Sequence, residues 1–292
     1  MSLLDNFNDI LKQDEPLAPL TWLKVGGPAK YVAEPQDADQ LQALVKCCSE
    51  NEVAVRLLGS GSNLLLADKG FDGVVIRLTA DAFSQVQISG TTVTAAGGAM
   101  LSNVVSETVK AGLSGLELLA GIPGTIGGAI HGNAGTHQAD IGNYVTGVTV
   151  LTATGELRER AEDALTFSYR TSSVDELAVI SCTLELKEDD SEAITERMRK
   201  VWIMKKATQP LSSQSAGCIF KNPRGLSAGD LIEQAGLKGT RIGGAEISDR
   251  HANFIVTSDS ATCNDVMQLI DKAKSAVTEQ FGVDLETEIQ IW

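Results

Sequence analysis

Three residues far apart in the chain have the chemistry of a site that moves protons and holds negative charge. Arg170 ends the run Leu165-Thr-Phe-Ser-Tyr-Arg170, Cys218 lies within Gln209–Pro223, and Glu288 stands among the apolar residues Leu285, Ile289 and Ile291. An arginine can grip a carboxylate or phosphate through two parallel hydrogen bonds. A surface ion pair is its commoner and weaker use. Cys218 follows Gly217, so a ligand can approach the sulfur, and Lys221 and Asn222 add donors beside it. A buried packing thiol is the usual fate of a free cysteine. Glu288 either faces solvent or reaches into a cleft as an acid or base. His131 and His251 have no third ligand at matching spacing, so no metal site is expected.

Two glycine-rich segments point to a ligand that needs bare backbone. Gly59-Ser-Gly-Ser-Asn63 follows the apolar run Ala54–Leu58, and Gly121–Gly135 has six glycines in fifteen residues. Such density costs backbone entropy and suits no regular element, so an irregular loop is expected over 121–135. Exposed peptide N–H groups suit diphosphate oxygens, and two such loops suggest two clamps on one extended, phosphate-bearing cofactor. Asn133 could bond a ring or ribose. The first loop is neither a Walker A loop nor a G-x-G-x-x-G fingerprint, and a tight strand turn accounts for it equally well. A multi-turn surface loop accounts less well for the second, because it leaves the pair without a common cause.

The elements that must carry these residues alternate in type. Residues 3–14 read as a short amphipathic helix, and 37–51 as a helix with Leu41, Leu44, Val45 and Cys48 on one face and Asp37 as its cap. Strands are expected at 54–58, 74–78, 86–88, 93–95, 145–151, 178–186, 253–256 and 286–291. Further helices are expected near 101–111, 192–206, 227–235 and 261–280. This is an α+β pattern of two or three lobes. The chain has 292 residues and a net charge of −14, which argues against nucleic acid or an anionic membrane as partner. No apolar run would span a bilayer. The first residues lack a signal-peptide pattern, so a cytoplasmic protein is expected. Five cysteines without C-x-x-C spacing fit neither a disulfide framework nor a zinc site.

Together these segments resemble the UDP-N-acetylenolpyruvoylglucosamine reductases (UDP-N-acetylmuramate dehydrogenases, the MurB family), specifically a compact subfamily without an inserted substrate-capping loop. The resemblance runs from about Thr21 to Glu288. It rests on Thr21 with Gly26-Gly27, Gly59–Asn63, Gly121–Ala129 closed by Asn133-Ala-Gly135, Tyr169-Arg170, Gly217–Pro223, His251-Ala-Asn-Phe254 and Glu286-Thr-Glu288. It implies a two-lobed FAD-binding domain of the vanillyl-alcohol oxidase-like type, with lobes over 1–78 and 79–190. It also implies a C-terminal α+β substrate domain over 203–292, its final strand free to pack back on the first lobe.

The resemblance further implies FAD held noncovalently and NADPH as co-substrate. The implied reaction reduces the enolpyruvyl group of UDP-N-acetylglucosamine enolpyruvate to UDP-N-acetylmuramate, in peptidoglycan precursor synthesis. Gly59, Ser60, Gly61, Ser62, Asn63, Ile122, Gly124, Thr125, Gly128, Asn133 and Gly135 would hold the cofactor. Tyr169, Lys206 and Asn222 would bind substrate, and Arg170, Glu288 and Cys218 would act on it. The family's proton-donating position is usually serine. A thiol there is the stronger acid, near ~8.5 when unperturbed, and Lys206 or Lys221 could favour its thiolate. A protonated Glu288 would need a raised pKa, which burial could supply. An alcohol or sugar oxidase of the same superfamily would share the glycine loops but has no use for Gly217–Pro223. A non-catalytic nucleotide-binding module would need none of the three reactive residues.

Overall fold

The computed structural model describes residues 4–292. The chain divides into two units, each built from separated segments. The first comprises residues up to Glu15, Lys30–Gly59 and Asp72–Ile203; the second comprises Pro16–Ala29, Ser60–Phe71 and Met204–Trp292.

In the first unit, helix α1 (Ala38–Glu50) buries Leu41, Leu44, Val45 and Cys48, and the Asp37 side chain accepts from Gln40 N, as the sequence predicts. It shares an apolar core with Val74, Ile76 and Phe83. The associated sheet is ordered Leu11–Pro16, Pro28–Ala33, Phe71–Ile76, Val55–Leu57, the last two parallel. The helix expected over 3–14 does not form in the described residues: Asp5–Phe7 is a single 3-10 turn and Leu11–Pro16 is a strand. Pairing along a sheet outweighs a weak local helical pattern. Ile10 accepts from Glu34 N, and Lys12 pairs with Glu34 at 2.9 Å.

A second, antiparallel sheet has the order Leu157–Ala161, Val145–Leu151, Ala178–Glu185, Thr92–Ala96, Val86–Ser89. Helix α2 (Leu101–Lys110) buries Leu101, Val104, Val105 and Val109 in the core of this sheet. The glycine-dense segment expected to be irregular holds a one-and-a-half-turn helix, α3 (Ile126–His131). Gly127 serves close packing: a Cβ on it would lie 3.1 Å from Gly97 O. Gly127 N bonds that same carbonyl at 2.8 Å, and Ile126 N bonds Ala99 O at 2.8 Å. Most of α4 (Ser191–Thr208) also belongs to this unit. Arg197 ties it down by bonding the buried Glu117 at 2.8 Å and Asp189 at 2.6 Å.

The second unit packs α5 (Ala228–Gln234) and α6 (Cys263–Phe281) with a small sheet, Arg241–Ile242, Ala245–Ile247 and Ile255–Thr257. Thr262 and Asp265 form a reciprocal capping box at the start of α6. The core includes Val266, Leu269, Ile270, Ala273 and Val277 with Leu23, Val25 and Leu65. The last strand is shorter than expected. Only Gln290–Ile291 is regular, pairing parallel with Leu64–Leu65, and Glu288 lies in the irregular stretch before it.

Burial separates the thiols. Cys48 and Cys263 are pushed up to about 11, and Cys182 to about 12, because an apolar interior disfavours the thiolate. A maleimide at neutral pH is therefore expected to leave these three unlabelled while half-buried Cys218 reacts, and to modify all of them once urea is added. Peptide mass spectrometry checks this, and prompt native labelling of Cys182 would contradict its place in the sheet.

Candidate active site

Gly59 and the second glycine segment meet. A Cβ on Gly59 would lie 2.9 Å from Thr125 Oγ1, so a side chain there would push that hydroxyl aside. The same hydroxyl caps α3 by accepting from Gly128 N at 3.3 Å. Gly59 and Gly128 are exposed and Thr125 is half-buried, so peptide groups from two separated segments lie open around one hydroxyl. That arrangement fits a diphosphate-bearing cofactor such as FAD. Ile122 and Gly124 sit half-buried in the approach to α3. Gly124 O accepts from Leu101 N, which anchors that approach. In the rest of the first loop, Ser60 Oγ donates to Ser62 Oγ at 3.1 Å and Gly61 O accepts from Trp22 N at 3.0 Å.

The other end of the second segment is tied to the Arg170 turn. Asn133 is 2 % exposed, and its amide donates to Ser168 O at 2.8 Å while accepting from Gly142 N at 3.0 Å. Ser172 Oγ donates to His131 O at 2.9 Å. Ser168 pairs with Thr171, so Tyr169 and Arg170 form a two-residue hairpin turn. Arg170 has φ +54°, a left-handed conformation that a side chain disfavours. Strain of this kind collects at functional sites. Arg170 Nη2 donates to Gly135 O at 2.9 Å, and Nη1 lies 3.7 Å from Asp140. The guanidinium carbon lies 5.2 Å from the centre of the exposed Tyr169 ring. Asp140 carries no motif that marks it in the sequence; the pairing of Gly135 with Asp140, with the bonds from Ile141 N to Ala134 O and from Gly142 N to Asn133 Oδ1, brings it to the guanidinium.

In the second unit, Cys218 and Glu288 ride on neighbouring backbone. Glu288 N donates to Ile219 O at 2.8 Å, Phe220 pairs with Thr287, and Lys221 N donates to Glu286 O at 2.9 Å. Asn63 Nδ2 donates to Glu288 O at 3.1 Å, and Asn63 O accepts from Gln290 N. Asn222 Oδ1 accepts from Ala228 N at the start of α5. Lys221 pairs with Glu286 at 2.6 Å. Lys206 is exposed, while Lys205 beside it is only 8 % exposed. Lys205 continues the inward-facing spacing Ile194, Met198, Val201, a signal present in the sequence. Arg250 donates to the carbonyls of Lys206 and Ala207.

His251 is held neutral. Burial lowers its pKa, Lys238 lowers it further, and Asp230 and Glu233 act the other way. Its Nδ1 accepts from Asn253 N at 3.2 Å.

Comparison with known proteins agrees with this geometry. Residues 29–160 match the FAD binding domain model, and residues 209–292 match the model described as UDP-N-acetylenolpyruvoylglucosamine reductase, C-terminal domain. The chain superposes on a berberine bridge enzyme variant with a TM-score of 0.52 at 16 % identity, covering 65 % of this chain and 44 % of that one, a likeness of fold. The chain therefore combines an FAD-binding domain of α+β fold with a further C-terminal α+β domain.

The similarity narrows beyond the class. The chain is 40 % identical over 284 residues to UDP-N-acetylenolpyruvoylglucosamine reductase 2 of Symbiobacterium thermophilum, covering 97 % of this chain and 92 % of that protein. It matches the crystal structure of the UDP-N-acetylenolpyruvylglucosamine reductase of Thermus caldophilus with a TM-score of 0.83 at 38 % identity, covering 95 % and 97 % of the two chains. The chain belongs to the UDP-N-acetylenolpyruvoylglucosamine reductase family.

Two outcomes follow from the geometry. Arg170→Gly should be about 1 kcal/mol more stable than Arg170→Ala, because both lack the guanidinium and only alanine keeps a Cβ at positive φ. Urea midpoints decide it, and equal stabilities would remove the strain. For His251, the unfolded imidazole takes a proton near 6.5 while the folded one resists it. Unfolding therefore takes up protons, and stability falls as pH drops through that value. His251→Gln should flatten the loss between about pH 7 and about pH 5. An unchanged pH slope would contradict the assignment.

Proposed function

We propose that this protein catalyses the NADPH-dependent reduction of UDP-N-acetylglucosamine enolpyruvate to UDP-N-acetylmuramate with noncovalent FAD, a step of peptidoglycan precursor synthesis. A nucleotide sugar and NADPH are soluble substrates, so the reaction belongs in the cytoplasm. The observation that carries the reading is the seating of Cys218 and Glu288 on adjacent backbone, with Asn63 of the first glycine loop bonded to the Glu288 carbonyl. The FAD-binding lobes are assigned to residues 1–78 and 79–190, and the substrate domain to 203–292.

Gly59–Asn63 and Ile122, Gly124, Thr125 and Gly128 hold the cofactor through backbone and hydroxyl groups, while Asn133 and Gly135 shape that segment from within. When bound, FAD supplies the hydride relay between NADPH and the enolpyruvyl methylene carbon. Hydride arrival there builds enolate charge on the neighbouring carboxylate. Arg170 holds that carboxylate, and its charge counts most where the negative charge grows. A protonated Glu288 donates a hydrogen bond to the same developing charge. Cys218 delivers its proton to the adjacent carbon, which completes reduction of the double bond and leaves a thiolate to be reprotonated. Tyr169, Lys206 and Asn222 orient the nucleotide sugar.

The purified protein should be yellow, bleach with NADPH under anaerobic conditions, and regain colour with UDP-N-acetylglucosamine enolpyruvate. Arg170→Ala, Glu288→Gln and Cys218→Ala should slow only the return of colour, Cys218→Ala on the order of 10²–10⁴-fold. Cys218→Ser should keep substantial activity. Brisk recovery with oxygen and none with the sugar nucleotide would favour the oxidase reading.

A further inference from the structure

The His251-Ala-Asn-Phe254 motif has no part in the chemistry above, yet it encloses the most completely bonded buried amide near Cys218. Asn253 is 3 % exposed. Its Oδ1 accepts from Phe220 N at 2.9 Å, and its Nδ2 donates to Phe220 O at 2.8 Å. Its own carbonyl accepts from Ile219 N at 2.8 Å. One residue thus bonds three peptide groups in the short run Cys218–Asn222.

The pairing pattern explains why an amide is needed. Along one edge, Ile219 O and Lys221 N bond Glu288 N and Glu286 O. Phe220 sits between them, so its N–H and C=O point to the opposite edge. There Cys218 pairs with Phe254, and regular pairing stops. The Asn253 side chain takes the place of the next strand residue, offering one acceptor and one donor to a single peptide unit. The amide offers them on separate atoms, which the single oxygen of a hydroxyl does not.

We propose that Asn253 is a positioning residue for proton delivery, setting Cys218 and Glu288 through the backbone of Phe220. Cys218 lies two residues before the clasped Phe220. Glu288 follows Thr287, which stands opposite it. A shift of this one peptide unit moves the thiol and the carboxyl relative to each other. The proposal rests on the roles given above to Cys218 and Glu288, and its test separates the two.

Asn253→Asp keeps the acceptor, loses the donor and sets a carboxylate against Phe220 O. In the flavin-loaded protein, its bleaching by NADPH should stay within about twofold of the parent. Its recovery with UDP-N-acetylglucosamine enolpyruvate should slow at least about tenfold. Without nucleotide sugar, alkylation of Cys218 by iodoacetamide should change by about fivefold or more, since access and thiolate character both follow the placement of the sulfur. In a Cys218→Ala background the same substitution should slow recovery by no more than about twofold further, because residues acting as a unit do not add. Asn253→Ser, with one hydroxyl to share between the two peptide groups, carries the same measurements should the aspartate variant fail to fold. Loss of melting temperature with recovery and alkylation unchanged per folded molecule would overturn the proposal and leave Asn253 a packing residue. Full additivity with Cys218→Ala would overturn it as well. If Cys218→Ala and Glu288→Gln both leave recovery untouched, the roles assigned above fall. The alkylation rate then decides the clasp by itself, a change upholding it and no change refuting it.

Discussion

Two peptide hydrogen bonds, Gly127 to Gly97 and Ile126 to Ala99, seat a six-residue helix against the antiparallel sheet. Much of the first unit's chemistry hangs on that contact. It favours a glycine at 127, since a Cβ there would press on the Gly97 carbonyl at 3.1 Å. At the near end of the helix, Thr125 is set against Gly59, which brings two remote stretches of bare backbone together. At the far end, His131 and Asn133 hold the hairpin that carries Arg170. A segment rich in glycine would ordinarily be soft. Here it is a strut with the bare backbone of Gly59 at one end and an arginine at positive φ at the other.

The second unit solves a similar problem with a different device. No helix presents Cys218 or Glu288. Both lie on nearly extended backbone whose neighbours fix its height and twist, with Glu288 N on Ile219 O at one edge and Asn253 at the other. Asn63 grips the chain at Glu288 and again at Gln290. Each reactive group is thus placed by backbone bonds, whose lengths vary little. Lys206, by contrast, is exposed.

What the sequence made legible was what local chemistry decides. The period of Leu41, Leu44, Val45 and Cys48, the cap at Asp37, and the helix near 261–280 all stand as read. The paired glycine loops and the family motifs were also plain, because bare backbone and rare residue types leave a mark in composition. Features decided by distant partners were not legible. Leu11–Pro16 is a strand because the sheet offers it an edge. Gly127 reads as loop because nothing local shows the Gly97 carbonyl it approaches. The left-handed turn at Arg170 runs against the residue's own preference, and Asp140 reaches it through the pairing at Gly135 and the bonds beside it. Asn253 looked like part of a motif without a task, since its partners lie thirty-three residues upstream.

The segmented construction of the second unit has a consequence for synthesis on the ribosome. Leu23, Val25 and Leu65 belong to a core whose other members run from Ala216 to Ile289. At about 5–20 residues per second, the first of these emerge on the order of ten seconds or more before their partners exist. The first unit can close around its own two sheets once Ile203 has left the exit tunnel. The early apolar segments stay exposed through that interval, and the second core completes only once Ile289 has emerged. Truncation near the C-terminus therefore strands residues at the opposite end of the sequence, and the stretch 209–292, though one family domain by sequence, lacks part of its own interior when cut out alone.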